Sequence, residues 1–449
     1  MPDGPIFAKP EYLRRQSALL SQFDINSILL IPTNKMKVRS HDVYFPFRAS
    51  SDILYLTGWE EPKALFVGHH DGAEWKTTLF VQDNDELAER WEGRRVGLSG
   101  AKERWPVDYA RDWESRLDVL EGWMQTKSTV YLQQGHDKDL DTMVNRLVTT
   151  KTREKTVTGK GPRAIIDPSS LLSELRIRKS ESEISIMREA AVIASKAHIH
   201  AMRNTQGDSN ESEIQSLIES TFIKNQSVPS YGSIVAGGDN ATILHYHANK
   251  DSVNDGSLIL IDAGCEVHGY ASDITRTWPV GGKFSKVQRD LYEIVLTAQT
   301  EAIEMCRPGN NWSDPHKAAV RSLAKGLVEL GVLDCSIEEA IGKNYNGRVR
   351  EFFMHGTSHS LGLDVHDVGI TKPTGNDDGR LLEPGMVLTI EPGLYFPEWV
   401  KDLDIDPKYT GIGIRIEDDV LITDSDPEVL TAGCPKTVVD IENNVGMDV

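Results

Sequence analysis

Cysteine is scarce in this chain: four in 449 residues, at positions 265, 306, 335 and 434, with no Cys-x-x-Cys pair among them. That spacing argues against a disulfide framework or a thiolate-held zinc site and fits free thiols in a reducing compartment. No uninterrupted run of 18 apolar residues occurs, so no segment is expected to span a bilayer. The opening Met1-Pro-Asp-Gly-Pro-Ile-Phe-Ala-Lys9 lacks the apolar core of a secretory signal, which makes the cytoplasm the expected location. Positive charge is in deficit: 49 Lys+Arg against 68 Asp+Glu give a net charge of −19. A surface that acidic repels phosphate backbones and anionic lipids, which argues against nucleic-acid and membrane partners. Repeats at solenoid or propeller periods and long low-complexity tracts are also missing.

What is present suits a globular protein of two or three domains, with 39% hydrophobic and 26% charged residues. The first part mixes helix and strand patterns. Helices are expected at Glu11–Phe23, Glu86–Trp91 and Trp113–Met124, and strands at Ser27–Ile31, Ile53–Thr57, Ala64–Val67 and Thr77–Val81. The polar stretch Lys151–Arg163 reads as an exposed loop or strand edge. We place a boundary at Leu175, giving an N-terminal α/β domain over 1–174 and a second domain over 175–449. A long helix then starts with Ser180 as N-cap and Glu183 as its capping partner. Beyond residue 229, short apolar runs alternate with Gly-bearing turns: Ser233–Ala236, Leu258–Ile261, Ile274–Trp278, Val387–Ile390 and Ile412–Ile416. Helical patterns occupy Val287–Met305 and Pro315–Leu330, so the second domain reads as α+β with a largely antiparallel sheet.

Four of these strands deliver carboxylates. Asp262 follows Leu258-Ile-Leu-Ile261. Asp273 lies on the expected return arm of a hairpin that brings it near Asp262, and Glu391 ends Val387-Leu-Thr-Ile390. In Gly411-Ile-Gly-Ile-Arg-Ile-Glu417 the alternation places Arg415 and Glu417 on one face. Any one of these acids alone reads as a turn former or a solvated partner. Four carboxylates emerging from apolar strands cannot share an interior without compensation, and a pair of divalent cations would neutralise them. Three histidines, His355, His359 and His366, fall within twelve residues, and His245 and His247 sit at an expected strand end. Gly356 argues against a regular helix there, and the segment has no His-Glu-x-x-His pattern. Four carboxylates and one imidazole would favour Mn²⁺ or Co²⁺, with Zn²⁺ or Fe²⁺ as alternatives, over copper. Two ions about 3.5–4 Å apart can deprotonate a water at neutral pH. Histidines left at the rim can move protons or bind a developing oxyanion, so the expected chemistry is metal-assisted hydrolysis.

The residues around these groups resemble one family. Ile261-Asp-Ala-Gly-Cys-Glu266, Ser272-Asp-Ile-Thr-Arg-Thr277, His355-Gly-Thr-Ser-His359, Leu361-Gly-Leu-Asp-Val-His-Asp-Val-Gly369, Glu391-Pro-Gly-Leu-Tyr395 and Gly411-Ile-Gly-Ile-Arg-Ile-Glu-Asp-Asp419 look like the pita-bread (M24) metallopeptidases. Among these they are similar to the bacterial-type Xaa-Pro aminopeptidases. Tyr44-Phe-Pro-Phe-Arg48, Ser51-Asp-Ile-Leu-Tyr-Leu-Thr-Gly58 and Trp91-Glu-Gly-Arg-Arg-Val-Gly97 extend the likeness over nearly the whole chain. The resemblance implies an α+β pita-bread catalytic domain with a smaller N-terminal α/β domain. It implies two divalent metal ions per subunit, foremost Mn²⁺, with Co²⁺ or Zn²⁺ as alternatives. Asp262 and Asp273 would hold one ion, Asp273 and Glu417 would bridge both, and His359 with Glu391 would complete the other. His245 and His366 would stabilise the tetrahedral intermediate, with Glu391 also counted as catalytic. His355, Tyr395 and Arg415 match residues around a proline pocket, and Asp42 could pair with Arg415. Trp91 resembles a residue that closes a neighbouring subunit's site, so a homo-oligomer, dimer or tetramer, is expected.

The implied activity is release of the first residue from peptides with proline second. A prolidase confined to Xaa-Pro dipeptides is the alternative, because Leu244-His-Tyr-His-Ala248 is similar to a prolidase pattern. Methionine aminopeptidases usually lack a comparable N-terminal domain. A catalytically silent pita-bread protein is a third reading. It is disfavoured, as is a creatine-cleaving relative, because all five metal positions are filled here.

Overall fold

The computed structural model describes residues 4–400 and 406–448. Its contacts divide the chain into Met1–Arg176 and Ile177–Val449.

The first unit is built on a six-stranded sheet ordered Tyr109–Asp112, Trp75–Val81, Leu65–His70, Ser27–Pro32, Thr129–Leu132, Ala164–Ile166. Ser27–Pro32 is buried along its whole length, as a central strand covered on both faces must be. Ile28, Leu30, Val67, Phe80 and Val130 meet Leu120, Met124, Leu140 and Val144 from two helices to form the core. Residues 53–57, expected as a strand, are helical: Ser51–Thr57 forms two buried turns ended by Gly58 at φ +67. An apolar run this short carries no period that separates strand from buried helix, and the left-handed glycine was the better signal. Within Lys151–Arg163 the structure places a short helix, Arg153–Val157, with Thr152 capping it. Asp42 lies in the turn of a small exposed hairpin, Val38–Ser40 with Val43–Tyr44. Trp91, in the helix Glu86–Glu92, is 91% exposed.

The second unit has helices outside and small antiparallel sheets inside. Glu181–Arg203 starts at the expected capping box, Ser180 with Glu183. Glu211–Lys224 and Lys286–Glu304 start at equivalent boxes, Asn210 with Glu213 and Ser285 with Gln288. Their inner faces pack Ala194, Ala197, Ile218, Phe222, Leu291 and Val295 against Ile259, Ile261 and Trp278. The sheets order Ile234–Gly237, Leu258–Asp262, Thr275–Pro279 in one set and Val387–Ile390 with Asp418–Leu421 in another. Gly393–Phe396 pairs with Ile412–Arg415 in a third. Register sets the site: Asp262 lies opposite both Ile234 and Thr275, Gly393 opposite Arg415, and Ile390 opposite Asp418. His245 and His247 do not end a strand. They follow a 3₁₀ segment, Gly238–Thr242, because Gly238 at φ +56 turns the chain out of the sheet first. Among the described residues no helix is long and apolar enough to cross a membrane.

Candidate active site

The strand ends converge on one cavity of about 450 Å³. Asp262, Asp273, His359, Glu391 and Glu417 line it, together with His245, His355, His366 and Arg415. Of the residues expected to hold metal, act in catalysis or line the proline pocket, Tyr395 alone is absent from the lining; fully buried, it stands behind the wall.

Asp262 and Asp273 meet because the hairpin between them is pinched. Gly264 approaches Ser272 so closely that a Cβ on it would fall 1.8 Å from the Ser272 carbonyl oxygen. No side chain fits there, which makes this glycine obligatory on steric grounds. The Asp273 amide donates to Asp419 Oδ2 at 3.1 Å, which fixes that corner from below. Tyr231 then joins the two carboxylates, its hydroxyl 2.5 Å from Asp262 Oδ1 and 2.5 Å from Asp273 Oδ1. A phenol carries one proton and donates to one of them at a time. Burial first, and the facing carboxylates second, push its pKa well above the ordinary value.

Arg415 organises the other wall. Its Nη2 donates to Asp262 Oδ2 at 2.7 Å, its Nε to Thr275 Oγ1 at 3.0 Å and its Nη1 to Tyr395 Oη at 3.1 Å. Thr275 Oγ1 in turn donates to Glu417 Oε2 at 2.6 Å, so Arg415 and Glu417 are coupled through one hydroxyl. Tyr395 Oη also lies 2.8 Å from His355 Nε2, and His355 Nδ1 lies 2.7 Å from the Gly356 carbonyl. A carbonyl only accepts, so Nδ1 carries the hydrogen and Nε2 accepts from the tyrosine. Burial, then Arg415, lowers the His355 pKa to about 3, and the ring is neutral.

His359 has the opposite electrostatics. Its Nδ1 faces the Ser360 carbonyl at 3.0 Å, which leaves Nε2 toward Asp273 at 3.5 Å and Glu391 at 3.8 Å. Burial alone would lower its pKa, but the hydrogen bond and charge of Asp273, then Glu391, outweigh that and raise it to about 9. Burial raises the carboxylates: with repulsion from Asp273, Glu391 and Asp262 next it lifts Glu417 well above its ordinary value, and it lifts Asp262 despite Arg415 and Glu391 despite His359 and Arg415.

Asp273, His359 and Glu417 each offer a ligand atom within 4.8 Å of the other two. The wider donor set of four carboxylates and one imidazole is oxygen-rich, buried and crowded with negative charge, which fits divalent cations of the hard-to-borderline class. The second-layer residues were not legible beforehand. Tyr231 lies in the Ser230–Ser233 turn just before the strand paired with Asp262, so its role depends on a register that sequence does not display. Thr275 and Asp419 did stand inside recognisable motifs and could have been singled out as the polar neighbours of ligands.

Carboxylates and a histidine gathered beside the ends of antiparallel strands, with Asp262, Asp273, Glu417 and His359 oriented by neighbouring hydrogen bonds, define a metal-dependent hydrolase. Residues 185–424 match metallopeptidase family M24, and residues 12–131 match the aminopeptidase P N-terminal domain. The chain belongs to the M24 metallopeptidases. It is 42% identical over 436 residues to an Xaa-Pro aminopeptidase of Haemophilus influenzae, covering 97% of each chain. It is 40% identical over 437 residues to an Xaa-Pro aminopeptidase of Escherichia coli, again covering 97% of each. The solved structure of Pseudomonas aeruginosa aminopeptidase PepP superposes with a TM-score of 0.91 at 40% identity, with 98% of both chains covered.

Proposed function

We propose that this chain is a metallo-aminopeptidase that hydrolyses the bond between the first residue of a peptide and a following proline. The observation that carries the reading is the complete and oriented donor set, Asp262, Asp273, His359, Glu391 and Glu417, in one cavity beside a neutral histidine wall. These five residues would hold two divalent ions, foremost Mn²⁺ with Co²⁺ or Zn²⁺ as alternatives, which when bound supply Lewis acidity and an acidified water.

The chain's own groups do the remainder. The acidic floor attracts the free α-amine and excludes an acylated N-terminus. An Xaa-Pro amide has no N–H, so the site needs no acceptor for it. His355 and Arg415 form a wall against which a proline ring can rest, held from behind by the Tyr395 hydroxyl. His366 is held below its ordinary pKa by burial, then by His359. As a neutral imidazole it can donate to the scissile carbonyl oxygen as that oxygen gains charge, and His245 flanks the same cavity. Glu391 takes the proton that the attacking water loses and returns it to the proline nitrogen as the C–N bond breaks. Beyond the site, we propose that Trp91 closes a neighbouring subunit's site in a dimer or tetramer, and that the enzyme works in the cytoplasm.

The deciding experiment is Mn²⁺-supplemented hydrolysis of an Xaa-Pro-Yaa tripeptide beside the matching Xaa-Pro dipeptide, repeated after chelation. Faster, chelator-sensitive cleavage of the tripeptide supports the aminopeptidase. Cleavage of the dipeptide alone would make the enzyme a prolidase, a reading that the relatives do not favour. No cleavage of either would remove the proposal.

A further inference from the structure

A second cavity, of about 390 Å³, adjoins the first and shares His355, Gly356 and Ser358 with it. Gly356 stands where the two meet, and a Cβ placed on it would touch nothing within 4 Å. No side chain narrows the space beside Gly356 on that side.

The two linings differ in charged groups, and those of the first are the ones that would hold cations. Four carboxylates line the first. No carboxylate lines the second, in a chain whose acidic residues outnumber its basic ones by 68 to 49. Arg350 and Lys372 do line it, along with His316. Arg350 donates to the carbonyls of Met354 and His355, which ties its guanidinium to the shared wall. His316 is hydrogen-bonded to Thr357 Oγ1 at 2.8 Å. Burial first, and the positive charges of Arg350 and Lys372 second, hold its pKa down to about 4. The cavity's net positive potential therefore comes from the arginine and the exposed lysine. The far wall is built under strain. Asn344 and Tyr345 sit consecutively at φ +57 and +59, in the left-handed region that a tyrosine rarely adopts. Arg321 holds Tyr345 there, hydrogen-bonded to its hydroxyl and lying 5.0 Å from the ring centre. Strain of that kind gathers at ligand-contacting segments.

A peptide substrate has matching polarity, with its amine at one end and its carboxylate at the other. We infer that the second cavity receives the C-terminal end of the substrate and that Lys372 with Arg350 recognises its free carboxylate. Peptides long enough to reach past Gly356 are then cleaved better than shorter ones, and better as free acids than as amides. This deepens the aminopeptidase reading and rests on it.

The test is kcat/KM for Xaa-Pro peptides carrying one to four further residues, each as free acid and as C-terminal amide, with wild type and Lys372→Glu in low salt. Lys372 is exposed and replaceable without disturbing a core, whereas Arg350 also holds the His355 backbone. At the length that reaches the cavity, wild type is expected to prefer the acid by roughly twofold to fivefold, the range of a solvent-exposed charge pair. The preference should lie in KM, fade at high salt and disappear in Lys372→Glu, where the new carboxylate offsets Arg350. An acid-to-amide ratio near unity at every length, or one that Lys372→Glu leaves unchanged, would overturn the subsite while the aminopeptidase reading stands. Absence of cleavage for acids and amides alike would overturn both.

Discussion

At the residue scale, the site depends on proton positions that the geometry assigns. Glu417 is 2% exposed, accepts a hydrogen bond from Thr275 and stands with Asp273 and His359 in the tightest donor group. Glu417→Ala should abolish turnover and release metal while leaving the far-ultraviolet spectrum intact; metal content after gel filtration is the check, and full retention would remove the assigned ligand. Tyr231→Phe should do less, because it deletes a hydroxyl that orients two carboxylates without removing either. A second-layer loss of this type costs about 10–100-fold in metal affinity, measured by competition with a chelator. His198 offers a prediction away from the metal. It is fully buried with Nε2 3.1 Å from the Ala263 carbonyl, and burial pulls its pKa from 6.5 to about 4. The folded state therefore resists a proton that the unfolded state accepts. Its contribution is complete above pH 6.5 and is lost as pH falls toward 4, on the order of 3 kcal/mol in total. His198→Gln should flatten the stability-against-pH curve over that window, and an unchanged slope would show that other groups set it. The four carboxylates stood out in the sequence because they emerge from apolar strands, whereas His359, set in Gly356-Thr-Ser-His-Ser360, was singled out as a ligand only by the family resemblance. Tyr231 and His198 were not, since what makes them matter is a contact across the fold.

At the scale of elements, the same division holds between what sequence displays and what packing decides. Periodicity and capping chemistry located the start of Glu181–Arg203, and periodicity placed Lys286–Glu304 and Asp314–Glu329 to within a residue at each end. Segments too short for a period were misread: Ser51–Thr57 is helix, and the His245 segment is a turn. Where a cap is visible its worth can be measured. Ser180→Ala removes a hydroxyl that accepts from the Glu183 amide, and it should cost about 1 kcal/mol in denaturant unfolding. The hairpin from Leu258 to Pro279 supports a sharper test. Any side chain at 264 must push the Ser272 carbonyl away, and Asp273 moves with it. Gly264→Ala should therefore lower turnover far more than its chemistry suggests, since displacements of about 1 Å at a catalytic centre cost on the order of a hundredfold. Retained kcat in a folded Gly264→Ala would show that the pinch does not position Asp273.

At the scale of the whole molecule, the question is how a fold tolerates Asp262, Asp273, Glu391 and Glu417 in one buried cavity. The surrounding unit has a large apolar core, running from Ala194 and Phe222 through Trp278 to Leu323 and Ile441, so its fold does not depend on the site. The site nonetheless opposes that core whenever its charges go uncompensated, because like charges repel more strongly away from water than in the unfolded chain. A cation that binds the assembled site and not the unfolded chain adds stability as RT ln(1 + [L]/Kd), about 2.7 kcal/mol at a hundredfold excess over Kd. Chelation should accordingly lower the apparent melting midpoint by several degrees at constant pH, and Mn²⁺ should restore it. Met1–Arg176 has its own core, so if the two units melt separately only the transition of Ile177–Val449 should move. Glu417→Ala supplies the control: with the site already broken, its midpoint should respond little to chelator or metal. An identical midpoint with and without chelator, in protein whose turnover needs the metal, would mean that the donor set is no better organised in the folded chain than in the unfolded one. The hydrogen bonds from Tyr231, Thr275 and Arg415 argue against that outcome, since they orient the carboxylates through the fold itself.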